Sequence, residues 1–288
     1  MRYKHILAVF FASLPVLMAA RAVQLVQLTD HTTGLFTKNK PALVVTAFIA
    51  LVVIVVSCCC LTVKRAPLRT PRVKKPLGIA ALIMAIGIGL DVFAVFQSSF
   101  AAPWQKFSLL IVGIVSAAFF VFYAAKSVKK YPLEKLFYII PTVYFALRLI
   151  VTFVSVAPLS LISENAYMVL AQCSTTLFMF EFGKIANGYD KEKSYKKILL
   201  TGVLSVMFNA VFSIPQMLLL ITDFKSTEHQ PAAALVSSMF VGVFVTMYLL
   251  AHFSNKNLKN HHYRRKKEVD EDKFLKIDSP EHKFYYGV

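Results

Sequence analysis

Residues 75–97 read KPLGIAALIMAIGIGLDVFAVFQ, an apolar run introduced by lysines and interrupted by a single ion, Asp91. As a helix rising 1.5 Å per residue, a run of this length crosses a hydrocarbon core about 30 Å thick. Seven more stretches of the same kind follow or precede it, giving apolar segments at about 5–28, 42–63, 77–97, 107–125, 136–157, 164–186, 198–221 and 232–253. Basic residues fall on alternate sides of these segments. Twenty-six of the 32 Lys and Arg residues lie on the side that holds Arg2, Lys75, Lys130, Lys197 and the C-terminal tail. The opposite side holds only Lys38, Lys40, Lys106 and Lys225. By the positive-inside rule this asymmetry predicts an all-α, polytopic transmembrane bundle of eight spans, with the N-terminus and the C-terminus both cytoplasmic.

Composition agrees with a membrane solvent. The chain is 57% hydrophobic and 16% charged, against about 25% charged in a soluble domain. Its 288 residues are consumed by spans and short loops, leaving residues 254–288 as a mixed-charge cytoplasmic tail expected to be largely disordered. The net charge of +17 sits beside the spans, where it suits anionic inner-leaflet lipids at about 1 kcal/mol per basic residue. No nucleic-acid partner is expected. His261 and His262 in the tail read as solvated, and no metal or cofactor is called for.

Cys58, Cys59, Cys60 and Cys173 all lie away from the outer loops, so no exofacial disulfide framework is expected. Three consecutive cysteines on a helix point in three directions, which suits packing or S-acylation better than metal ligation. The first segment also resembles a secretory signal, with Ala20-Arg21-Ala22 as a small-residue cleavage site. Apolar residues continue through Leu28, so a retained anchor is the favoured reading. Trp104 and Phe107 stand where an interfacial anchor belongs. Pro15, Pro141, Pro158 and Pro215 are expected to kink or end helices, and Ile86–Asp91 is the segment that looks most breakable. Spans one to four and five to eight share an orientation, so a parallel duplication is topologically allowed.

Ions inside the membrane are the informative exceptions, since each costs about 2.5–3.5 kcal/mol even on lenient scales. Counted from the inner boundary at 1.5 Å per residue, Arg148 lies at ~18 Å, Asp91 at ~21 Å, Arg21 at ~24 Å, Gln172 at ~22 Å and Asn209 at ~16 Å. These five residues form a candidate polar layer, with Asp91 expected to pair with Arg148 or Arg21. Two readings stand: hydrogen-bonded glue between helices, or a ligand-binding layer suited to an anionic or zwitterionic molecule. Glu181 and Lys184, three residues apart, are expected to form a local salt bridge, and Glu164 to favour a helix start.

No zincin, serine-hydrolase or aspartyl-pair signature is present in the spans, so an enzyme is not expected. A G-protein-coupled receptor is excluded by the missing Asp-Arg-Tyr and Asn-Pro-x-x-Tyr motifs. The reading that demands least is a non-catalytic sensor, regulator or partner-binding membrane component. Its alternative is a small-solute permease with a polar site around Asp91 and Arg148. Spans five and six, Leu136–Phe153 and Asn165–Gly188, resemble stretches of uncharacterised multi-span membrane proteins of Gram-positive bacteria. That resemblance implies a bacterial plasma membrane and carries no activity with it.

Overall fold

The computed structural model describes residues 3–29, 36–37, 39–63, 75–97, 102–127, 134–156, 163–188, 191–222 and 231–252. The expected tail, most of the basic connections, Pro158 and the Glu164 side chain lie outside the described residues. The elements are α1 (Tyr3–Gln27), α2 (Asn39–Leu61), α3 (Lys75–Gln97), α4 (Pro103–Ala125), a 3-10 turn η1 (Lys135–Ile139), α5 (Ile140–Val156), α6 (Ser163–Asn187), α7 (Lys191–Ile221) and α8 (Ala232–His252). Helix is the expected solution, because a backbone in hydrocarbon must satisfy its own N–H and C=O groups within each segment. Local signals fix several ends. Pro103 opens α4, where Gln105 Oε1 accepts the Ala102 N–H at 2.9 Å. Gly188, at φ +81°, follows the end of α6 in the left-handed conformation that stops a helix.

Seven of these helices are long and apolar enough to cross a membrane; α6 is the exception. It is as long as the others, but Gln172, the Ser174-Thr175-Thr176 run, Glu181 and Lys184 make it more polar. Several of these groups are turned toward other helices: Thr175 meets Ser205 and Asn209 of α7, and Thr176 donates to the Phe145 carbonyl of α5. Ile86–Asp91 stays helical within an unbroken α3. Pro15 and Pro215 lie inside α1 and α7 without ending them, while Pro141 falls in the first turn of α5 after η1.

Helices α3 to α8 form a closed ring, each packed on its chain neighbours, with α3 meeting α8 to close it. The α1–α2 pair docks on the outside of this ring against α7. Such packing does not fit the four-plus-four duplication. Helix α6 packs extensively on α7, whereas α2 and α3, the matching pair, share no comparable interface. Ile6, Phe10, Leu17 and Arg21, at spacings of four and seven residues, are buried along one face of α1.

Candidate functional site

Around the ring interior, chemistry changes along the helix axes. The N-terminal ends of α3, α5 and α7 and the C-terminal ends of α4, α6 and α8 define a basic end; the other is the far end. In the basic half, rings from α4, η1, α6 and α8 meet across the centre. Phe120 packs edge-on against Phe244 at 5.1 Å, Tyr123 against Phe182 at 5.8 Å, and Phe182 against Tyr248 at 5.2 Å. Tyr138 of η1 joins Phe119 at 5.4 Å and Phe182 at 5.5 Å. Tyr248 stacks on His252 at 5.6 Å. Edge-to-face pairs of this kind contribute about 0.5–1.5 kcal/mol each beyond area burial.

The far half is polar on several sides. Asp91 sits ~9 Å below the far end of α3. It lies between the edge that meets α8 through Gly87 and the edge that meets α4 through Ile88 and Val92, so it faces the interior. Its Oδ2 accepts two hydrogen bonds, from Arg148 Nε at 2.8 Å and from the Tyr144 hydroxyl at 2.7 Å. Arg148 Nη1 donates to Thr152 Oγ1 at 2.5 Å, so residues 144, 148 and 152 present one polar edge of α5. Lipid-facing Val143, Ile150 and Phe153 lie on the opposite side.

Gly113 lets α5 reach α3 in front of α4. A Cβ there would lie 2.6 Å from Val92 Cγ2 and 3.3 Å from Tyr144 Cε2. Only a bare backbone allows α4 to sit that close behind the Asp91–Tyr144 contact.

Asn209 belongs to a second polar seam, between α6 and α7. Its Nδ2 donates to Thr175 Oγ1 at 2.9 Å and to the Ser205 carbonyl at 2.8 Å, and the Thr175 and Ser205 hydroxyls lie 2.9 Å apart. Ser213 Oγ donates to the Asn209 carbonyl at 2.6 Å. Gln172 stands one turn above Thr176, whose hydroxyl donates to the Phe145 carbonyl of α5 at 3.1 Å. That contact places Gln172 beside the Arg148 turn of α5. Gln172 Oε1, Gln216 Nε2 and Ser116 Oγ are buried and have no hydrogen-bond partner among the described residues.

Of the five residues expected to share a layer, Asp91, Arg148, Gln172 and Asn209 come from four ring helices. Arg21 does not join them. It is fully buried at the junction of α1 with α6, its guanidinium 4.3 Å above the Tyr167 ring. Its Nη1 donates to Gln24 Oε1 at 2.6 Å, and Gln24 Nε2 donates to Thr46 Oγ1 of α2 at 2.8 Å. With Arg21 held on Tyr167, the ring carries a balanced Asp91–Arg148 pair. Glu181 and Lys184 form the expected i,i+3 contact at 3.5 Å. Cys58, Cys59 and Cys60 run from exposed to buried, as three successive helical directions require.

Tyr144, Thr152 and Gly113 were invisible as site residues in the sequence. A tyrosine in an apolar run reads as packing, and the signal that singles it out is its position one turn before Arg148. The architecture and the paired intramembrane ions define an integral, multi-pass helical membrane protein. No family model, curated protein or solved structure matches the chain.

Proposed function

We propose that the protein is a non-catalytic, ligand-sensing or partner-binding component of the plasma membrane, with all eight helices crossing and both termini cytoplasmic. The carrying observation is the floor beneath the polar half. Phe120, Tyr123, Phe182, Phe244 and Tyr248 close the ring across its centre on the basic side of the Asp91–Arg148 pair. Polar groups above an aromatic layer that closes the ring suit reception better than conduction. The basic connections and residues 254–288 would face anionic inner-leaflet lipid, and the tail would be the cytoplasmic contact for a partner protein. A bacterial plasma membrane is the assigned location.

Reconstitution in liposomes tests this directly. The proposal expects no solute flux, and a co-purifying protein that is lost when residues 256–288 are removed. Flux dependent on Asp91 would instead favour the second reading, a small-solute permease with its site around Asp91 and Arg148. The unpartnered Gln172 Oε1 and Gln216 Nε2 are what support that alternative.

A further inference from the structure

The Asp91–Arg148 pair is only half used. Arg148 donates through Nε and Nη1, and Asp91 accepts through Oδ2. The other edge, Arg148 Nη2 with Asp91 Oδ1, has no partner among the described residues, and each side chain keeps 11% of its surface open. Gln216 is buried with its amide nitrogen unpaired, and Gln172 brings an unpaired acceptor from α6. A buried amide or hydroxyl left without a partner destabilises a fold, so such groups are normally satisfied.

We propose that the far half of the ring binds a small zwitterion, with a carboxylate and an ammonium a few ångströms apart as in a free α-amino acid. Its carboxylate would lie on Arg148 Nη2 and its ammonium on Asp91 Oδ1, with Gln216 Nε2 and Gln172 Oε1 offering a further donor and acceptor from α7 and α6. Charge balance selects this class. Asp91 and Arg148 already neutralise each other, and Arg21 is held outside the ring on Tyr167. A net anion or cation would bring an uncompensated charge into a poorly solvated interior, whereas a zwitterion adds none. The open edge is also a dipole, positive at Arg148 and negative at Asp91, and the zwitterion meets it antiparallel. This inference rests on the receptive reading of the polar half.

The test uses the full-length protein in lipid nanodiscs, with thermal unfolding followed against alanine, glutamine and leucine, and against propionate, alaninamide and urea. At least one amino acid is expected to raise the unfolding temperature saturably, and the matching analogues lacking one charge to bind about tenfold more weakly or worse. Arg148→Lys, which keeps the charge but loses the Nη2 edge, is expected to weaken binding by about tenfold. The proposal is overturned if no amino acid stabilises the protein, if propionate or urea matches alanine, or if Arg148→Lys binds normally. Should Arg148→Lys not fold, the wild-type comparison of alanine with propionate and alaninamide decides alone. Liposome flux of the bound amino acid would overturn the non-conducting reading and leave this site standing. A partner complex with no amino-acid effect would overturn the site and leave the partner-binding reading standing.

Discussion

Between the far half of the ring and its basic half, the same helices change chemistry within about one turn. On α6, Thr175 bonds across to Asn209, while Phe178, three residues along, packs on Tyr248 at 5.6 Å. On α4, Gly113 and Ser116 give way to Phe119 and Phe120. The two halves cohere by different physics. Lipid tails are as apolar as leucine, so burying apolar surface between helices gains little by itself. The aromatic half must depend on the fit of its rings and on dispersion contacts summed over many atoms. The polar half depends on a few directional bonds, which fix helix register because each has one partner at one height.

The largest expected effect breaks the aromatic side. Phe182→Ala removes a ring that touches Tyr123, Tyr138, Phe178, Phe244 and Tyr248. It should cost about 3–5 kcal/mol in reversible unfolding in micelles. A loss under about 1 kcal/mol would mean that the floor is loosely packed. Next comes the ion pair. Asp91→Asn strands Arg148 and should cost about 3 kcal/mol, and adding Arg148→Gln should restore at least half of it. Folding yield of single and double variants by size-exclusion chromatography reads this out; no rescue would dissolve the pair as a structural unit.

Gly113→Ala sharpens the comparison at the boundary. Its methyl group would press on Val92 and Tyr144 and should cost about 1–3 kcal/mol in the same unfolding assay. The smallest effect is expected at the α6–α7 seam. Asn209→Ala removes the bond to Thr175, and bonds of this kind between membrane helices average about 0.6 kcal/mol. A much larger loss would make that seam, and not the Asp91–Arg148 pair, the main tie of the polar half.

Much of this was legible in the chain because lipid enforces simple rules. Apolar runs of the right length had to be helices, and Asp91 had to find a cation because the alternative is costly. Which cation was beyond reach: Arg21 and Arg148 stand at similar heights, and only the packing of α1 outside the ring separates them. Ring connectivity was hidden for a related reason. Lipid-facing Phe93 and interior Phe120 are chemically identical letters, so hydropathy distinguishes spans without distinguishing their faces. Helix α6 differs from the others in a way the sequence shows, through its Ser174-Thr175-Thr176 run. Gly113 carried no mark, since a lone glycine in an apolar helix has many structural uses.

The docking of the α1–α2 pair on α7 carries a consequence for synthesis. These two helices emerge before α7, and the surface that receives them is completed only at Ile221. At about 5–20 residues per second, that surface arrives roughly 8–32 s after α2 ends. During this wait Arg21 has no Tyr167 above it. It does have Gln24, and Gln24 has Thr46, all within the first two helices. The early pair thus brings its own provision for a charge in oil, and a nascent chain can pause half-built without surrendering its arginine to the lipid.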